Sequence, residues 1–427
     1  MAGGNGDLER VRSLSDELVD LQRPIRILDA VAWGDDVAAR FFAGGASTQP
    51  EIGADYYSGR RPLGFEPDEL RDALGRLDRR IRNELGSMAV GALMRTRIAD
   101  YLRVLDLLEA RGTAAFGRIS AELYGSADDV LHHDGPTLAE LGELMQGALA
   151  AIAAGSWDEP EEPEFSAEAS VAILTERLAR VLGPGEVRVI VDDGIVADAA
   201  AGADYIKLRA GAEFSRRELR VLEVHEGWVH VATTLNGRQQ PWCTFLGKGT
   251  PSTTVTQEGL AIFTEVTTLS STPARLGTIA RRIHGIAMAQ DGATFLEVYR
   301  WLLDHGLDES AAWSSSVRIF RGSTPTGPPF TKDLVYGRGF MEVYDVMRLA
   351  VRRGLLDRLP LLFVGKLAVR ELGVLAELES EGVVVAPPTL PPNMRDVTAL
   401  ASWLALSSLL NRIDLDVMET ELSEALS

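Results

Sequence analysis

Leu70, Leu74, Leu77 and Ile81 fall three or four residues apart in an otherwise charged stretch, and Leu102, Leu105 and Leu108 repeat the spacing. Residues so spaced line one stripe of an α-helix. Such a helix is stable only when its stripe is covered, so this chain has to pack helix against helix from its N-terminal part onward. The helical signals run from Asp7 to about Gly155. Trp157-Asp158-Glu159-Pro160-Glu161-Glu162-Pro163-Glu164 is acidic and proline-rich and reads as a linker. It divides a helical N-terminal region, 1–156, from a second region, 157–427.

Beyond the linker the periodicity changes. A helix is expected from about Ala167 to Leu182, stopped by Gly183-Pro184-Gly185. Two strand-like runs follow: Val187 to Val191, ending in the turn Asp192-Asp193-Gly194, and Tyr205 to Leu208, ending near Gly211. Ser215-Arg216-Arg217-Glu218 is a capping box, so a helix starts there and continues through Leu219, Leu222, Val224 and Val229. A polar loop, Leu235 to Thr256, separates it from a second helix beginning around Gln257. From Pro273 onward the chain is again mostly helical, interrupted at Gly322 to Pro329 and at Ala386 to Pro392. The expected fold class is α+β, mainly helical, with a small β-sheet beside the capped helix.

Composition narrows the function. Apolar residues are 46% and charged residues 25% of 427, the usage of a globular protein with a sizeable core, which excludes a mainly disordered chain. No run approaches the roughly 20 uncharged apolar residues of a membrane span; Glu143 and Lys366 break the best candidates. Asp7, Glu9 and Glu17 leave no basic-then-apolar leader, so no secretory signal is expected. Cys243 is the single cysteine, which excludes an internal disulfide and a cysteine-cluster metal site and suits a reducing, cytoplasmic setting. With 43 basic against 62 acidic residues the net charge is −19, a field that repels nucleic acid. Only four of the cations are lysines: Lys207, Lys248, Lys332 and Lys366.

Two of the six histidines lie in His225-Glu226-Gly227-Trp228-Val229-His230, on the capped helix. Imidazole nitrogens and carboxylate oxygens are zinc ligands, and a catalytic zinc keeps one position open for water. The helical zinc-peptidase motif spaces its histidines by four, because that puts both rings on one face. Here the spacing is five, which on a straight α-helix turns the second ring away by about 140°. Convergence therefore requires local unwinding or a π-type turn, and Gly227 would ease the distortion. The plain alternative is two ordinary helix residues that never meet. Glu226 stands where a general base would take a proton from water. The segment Tyr205 to Leu208 stands where an edge strand would hold an extended substrate. A third ligand is available from Gln257-Glu258-Gly259-Leu260-Ala261, and Glu265, two turns on, could orient a ligand from behind. His132-His133-Asp134 reads as a polar loop. Gly247-Lys248-Gly249-Thr250 lacks the strand-then-helix context of a phosphate loop.

The pairing of His225-Glu226-x-x-x-His230 with Gln257-Glu258-Gly259-Leu260-Ala261 resembles the flavohemoglobin expression-modulating QEGLA-motif proteins. That family is related to the microtubule-associated tyrosine carboxypeptidases, zinc enzymes that remove the C-terminal tyrosine of α-tubulin. The resemblance implies a zincin-like core over about 166–270, a helical C-terminal part over 271–427, and one Zn²⁺ held by His225, His230 and Glu258 with Glu226 catalytic. The animal enzymes carry a long N-terminal segment for the microtubule, and none is expected here. The charge of −19 also opposes an acidic filament, so tubulin is not the expected substrate.

Arg321 to Gly339, above all Phe330-Thr331-Lys332-Asp333-Leu334-Val335-Tyr336, also resembles the family. Trimming a free C-terminus needs a cation for the terminal carboxylate and a donor for the developing oxyanion. Arg321 and Lys332 are the candidates for the first role and Tyr336 for the second. The expected activity is that of a zinc metallopeptidase acting on a peptide or protein C-terminus, with tyrosine or another bulky residue as the leaving group. The rivals are a zinc aminopeptidase or amidase on the same ligands, and a non-catalytic regulatory or binding protein with a structural metal. A cationic pocket beside the ligands would favour the carboxypeptidase.

Overall fold

The computed structural model describes residues 5–154, 161–193, 195 and 198–412. Among them the chain is mainly helical α+β with two small sheets. Helix Pro67–Leu85 buries Leu70, Leu74, Leu77, Ile81 and Leu85 along one stripe, as the spacing demands. It turns at Gly86, where φ is 54°, and the longer helix Ala89–Glu109 returns along it. Asn5–Gln22 closes that layer with Val11, Leu14 and Leu18. The same apolar cluster continues through Val343, Met347, Leu361, Phe363, Leu375 and Leu404. A second cluster joins Val104, Phe116 and Ile119 to Val255, Ile262, Ile283, Phe295 and Phe330. The helices within 5–124 and those within 251–410 thus share their cores. Burying one Leu or Phe side chain contributes about 1.5–3 kcal/mol, so these shared clusters hold the N-terminal helices against the rest.

The first half of the expected linker, 157–160, lies outside the described residues. Its second half is tied down: Glu161 accepts from the Arg217 N–H at 2.9 Å, and Glu164 pairs with Arg216 at 3.0 Å. It leads into β1, Phe165–Ser166, which pairs antiparallel with β5, Glu213–Phe214. Helix Ala167–Leu182 follows, capped by the Ser166 hydroxyl and ended by Gly183 at φ 102°. The three-stranded sheet has β4, Tyr205–Arg209, in the middle. β2, Arg188–Asp192, runs parallel to it on one side, and β3, Ala199–Ala201, runs antiparallel on the other. The expectation that Tyr205 to Leu208 forms an edge strand is therefore wrong. Its alternation reports that Ile206 and Leu208 face the core, and says nothing of its edges, which β2 and the three alanines of β3 fill.

Ser215 and Glu218 form the capping box, with reciprocal bonds of 3.1 and 2.8 Å. The helix they start runs as α over Arg216–Leu222, as a π-helix over Glu223–Val231 and as α again over Ala232–Arg238. The expected loop from Leu235 to Thr256 is accordingly shorter. Asn236 and Gln240 hold its first part to the chain near Phe363 and Val385, and the next helix is Pro251–Thr267, opening six residues before Gln257. Proline at the first helical position after a threonine cap is the physical reason, since its missing N–H would have no partner there. The Gly247-to-Thr250 stretch serves as this cap, with the Thr250 N–H on Thr253 Oγ1 at 2.8 Å.

Pro251–Thr267 crosses Val335–Arg353 with the two backbones touching. A Cβ on Gly259 would lie 2.0 Å from the carbonyl carbon and oxygen of Gly339, and one on Gly339 would lie 2.0 Å from the Val255 oxygen. This crossing sets Glu258 beside the segment that carries Lys332 and Tyr336.

Candidate metal centre

A π-helix closes its hydrogen bonds between residues five apart, so side chains five apart stack as those four apart do on an α-helix. The nine-residue π segment therefore turns the five-residue spacing into convergence: the His225 and His230 rings lie 4.8 Å apart, nearly perpendicular at 83°. Gly227 lies inside the π segment and meets a second demand there. A Cβ there would meet Leu178 Cδ2 at 2.1 Å, so the glycine lets helix Ala167–Leu182 approach closely.

Glu258 comes in from the second helix. Its Oε2 lies 3.3 Å from His225 Nε2 and 3.4 Å from His230 Nε2. The three donor atoms all lie within 4.8 Å of one another, and this is the one such group among the described residues. Glu258 Oε2 is buried and takes no hydrogen bond. A carboxylate oxygen buried without a donor is costly, and two imidazole nitrogens aimed at the same point make a donor set that suits a divalent ion such as zinc. The residues present fit such an ion.

Behind His225, Nδ1 meets Glu265 Oε1 at 2.6 Å, and Glu265 is fully buried. Arg275 in turn grips Glu265, Nη2 on Oε1 at 3.1 Å and Nε on Oε2 at 3.3 Å. This chain fixes the ring so that Nε2 faces Glu258. Burial works against the Glu265 charge, but Arg275 and His225 outweigh it and hold the carboxyl down at about 2. Glu258 is likewise held well below the usual range against its burial, by His230, His225 and Lys332. Glu226 is half-buried, and its carboxylate makes no hydrogen bond among the described residues.

Lys332 Nζ stands 3.7 Å from Glu258 Oε1 and 5.9 Å over the Tyr336 ring, which itself lies 6.4 Å from His225. Arg321 has different neighbours. Its guanidinium lies over Phe330 at 5.8 Å, its buried Nε has no partner, and burial with the like charge of Arg318 pushes it down to about 10. The structure thus gathers Lys332 and Tyr336 at the histidines, while Arg321 packs on Phe330 within electrostatic reach of Asp333 and Tyr336. Sequence reasoning missed Arg275, Arg282, Arg318 and Lys366. Arg318 holds Asp333 in a two-pronged bond of 2.7 and 3.0 Å, and Arg282 lies 3.6 Å from the same carboxylate and 5.3 Å over the Tyr336 ring. Lys366 donates to the His230 carbonyl, and burial pushes its ammonium down to about 7 against the pull of Glu258 and Glu226. Cys243 is buried, its thiol pushed up to about 12 by that burial, and it takes no part.

No helix of the described residues is long and apolar enough to cross a membrane. Three solved structures resemble the chain over most of its length. A candidate lipoprotein from Colwellia psychrerythraea is 13% identical with a TM-score of 0.40, covering 93% of this chain and 75% of its own. Metallocarboxypeptidase 1 of Trypanosoma cruzi is 12% identical with a TM-score of 0.36, covering 91% and 98%. BsuCP is 13% identical with a TM-score of 0.31, covering 94% and 97%. No curated protein matches the sequence. The profile of the microtubule-associated tyrosine carboxypeptidases matches residues 39–412, nearly the whole chain, and the protein belongs to that family of carboxypeptidases.

Proposed function

We propose that the protein is a zinc-dependent carboxypeptidase that removes one residue from a free peptide or protein C-terminus. One observation carries the reading: His225 Nε2, His230 Nε2 and the unpartnered Glu258 Oε2 converge within 4.8 Å, with the Lys332 ammonium beside them. Those three atoms would hold the zinc, which when bound supplies an acidified water and a polarised carbonyl.

The chain's own residues do the rest. Glu226 Oε takes a proton from the attacking water as the new C–O bond forms, then delivers it to the amide nitrogen as the C–N bond breaks, releasing a free amino acid. The Lys332 ammonium draws the terminal carboxylate as a point charge. The Tyr336 hydroxyl donates to the oxygen that gains charge. Arg275 and Glu265 keep the His225 ring from turning. Arg321 adds a second positive charge within electrostatic reach of Tyr336. Six cations, Lys332, Lys366, Arg275, Arg282, Arg318 and Arg321, gather around four carboxylates, Glu226, Glu258, Glu265 and Asp333, a local excess of positive charge in a chain of net −19. That excess favours a substrate read through its carboxylate over one read through a free amine. The same net charge opposes docking on an acidic filament, so the proposed substrate is a peptide or protein terminus other than tubulin's, met in the cytoplasm.

The test is incubation of zinc-loaded protein with a peptide library bearing free and amidated C-termini, read by mass. Release of single C-terminal residues from free acids alone is the expected result. Cleavage that ignores amidation would overturn the carboxypeptidase reading.

A further inference from the structure

The π-helix is held from outside. Lys366 lies 136 residues beyond His230, in the loop between the turns Leu356–Phe363 and Val369–Glu371. An ammonium has three hydrogens, and here it meets three acceptors: the His230 carbonyl at 2.8 Å, Thr233 Oγ1 at 3.0 Å and Gln257 Oε1 at 2.8 Å. Thr233 Oγ1 also lies 2.7 Å from both Gln257 Oε1 and the Val229 carbonyl, and Thr234 Oγ1 donates to the His230 carbonyl at 2.7 Å. Val229 and His230 sit in the last wide turn, just before the ordinary helix resumes at Ala232. Gln257 is the residue before Glu258. One ammonium thus joins the backbone of one histidine to the side chain next to the carboxylate, and it has no hydrogen left for a substrate.

The lysine is itself anchored. Its N–H donates to the Leu246 carbonyl at 2.6 Å, and its own carbonyl accepts from Arg97 at 3.4 Å. Arg97 is 1% exposed and bound to Glu371. A Cβ on Gly365 would come within 2.6 Å of the Leu246 oxygen, so the preceding residue has to be glycine for this loop to lie so close.

We infer that Lys366, received by Gln257 and Thr233, is a positioning residue that holds the π-helix in its wide register and so keeps His230 facing His225 and Glu258. The inference rests on the metal reading of that site. Relapse to an α register would turn His230 away by about 140°, and it would carry the His230 carbonyl off the lysine. Each part of the tie therefore opposes the rotation that would scatter the donor set.

Lys366→Met keeps an unbranched side chain, one atom shorter, and removes its donors. Two measurements on the full chain test it: zinc affinity by competition with a chromophoric chelator, and hydrogen exchange of the metal-free protein. The expected results are a loss of at least tenfold in zinc affinity, the scale on which outer contacts tune a metal site, and faster exchange over 229–236 with none over 74–85. Gln257→Leu should act in the same direction. The double variant should bind zinc no more than threefold worse than the weaker single one, because both remove one tie. An affinity within twofold of wild type, a multiplicative double loss, or a lowered Tm with unchanged affinity would each overturn the inference. If the wild type takes up no zinc, the metal reading fails by itself. Exchange then decides alone: acceleration over 229–236 upholds the tie and unchanged exchange overturns it. Should Lys366→Met not fold, Thr233→Val removes a single acceptor and is read against the same two outcomes.

Discussion

Gly259→Ala puts a methyl group where two helices already touch. The new Cβ would sit 2.0 Å from both the carbonyl carbon and the oxygen of Gly339. Non-bonded carbons rest about 3.5 Å apart, so the helices have to part by about 1.5 Å. No side chain can yield, because the opposing atoms are backbone. Overpacking of this kind costs about 3 kcal/mol at the upper end of its range, and alanine's better helix propensity returns about 1 kcal/mol. The net loss is about 2 kcal/mol, a factor of about 30 in the folded-to-unfolded ratio. Urea unfolding of the metal-free protein measures it. Gly373→Ala is the control: Gly373 lies in helix Leu372–Ser380 with nothing within 4 Å of a Cβ, so alanine should be neutral or stabilise slightly. Parting the helices also draws Glu258 off His225 and His230, so Gly259→Ala should weaken zinc binding while Gly373→Ala leaves it alone. Equal unfolding midpoints for wild type and Gly259→Ala, or equal losses for the two glycines, would refute the steric argument.

Glu226→Gln should retain zinc at wild-type stoichiometry and lose about 10²–10⁴ in turnover; metal content by atomic emission beside peptide hydrolysis checks it, and equal turnover sinks the general-base role. Stripping zinc with a chelator should abolish cleavage and leave the near-ultraviolet circular dichroism nearly unchanged, since the two large apolar clusters that join the helices include none of the three ligands; global unfolding on chelation would contradict this. The Asp333 carboxyl is held low against its burial by Arg318 and Arg282. A depressed carboxylate stabilises the fold above its unfolded pKa of about 4 and loses that contribution as pH falls. Asp333→Asn, which leaves the half-buried Arg318 without its charge partner, should therefore cost about 3 kcal/mol at pH 7, and the gap to wild type should narrow below pH 4. A gap of constant size from pH 7 to pH 2.5 would show that Asp333 carries no such linkage.

Helices were legible wherever one stripe had to be buried, as at Leu70, Leu74, Leu77 and Ile81, and the wide turn was legible because no α-helix brings residues five apart together. The start at Pro251 was also written in the chain, since Thr250-Pro251 is a cap followed by proline, although the stretch around it is polar in composition like a loop. Ala199–Ala201 carries no strand signal, so nothing in the sequence could reveal that Tyr205–Arg209 has a neighbour on both sides. Arg275 and Lys366 reach the histidines from 50 and 136 residues away, and local pattern has no access to contacts of that span. One cue existed. Lysine is scarce here, four against 39 arginines, and two of the four, Lys332 and Lys366, stand at this site. At Lys366 the compact, three-hydrogen ammonium matches three converging acceptors in a way that a planar guanidinium does not.

The five residues from Gln257 to Ala261 make sense as a junction rather than a ligand with flanking letters. Successive residues on a helix point about 100° apart, so consecutive side chains must meet different neighbours. Gln257 meets Lys366 and Thr233, across from the last wide turn. Glu258 meets the two histidines and Lys332. Gly259 meets the backbone of Gly339. Leu260 and Ala261 are fully buried in the cluster shared with the N-terminal helices. Each position is set by a separate physical demand: an acceptor for an ammonium, an anion for the imidazole pair, the absence of a Cβ, and apolar volume. Only the second of these demands concerns the ion directly; the others fix where the helix carrying that carboxylate must lie.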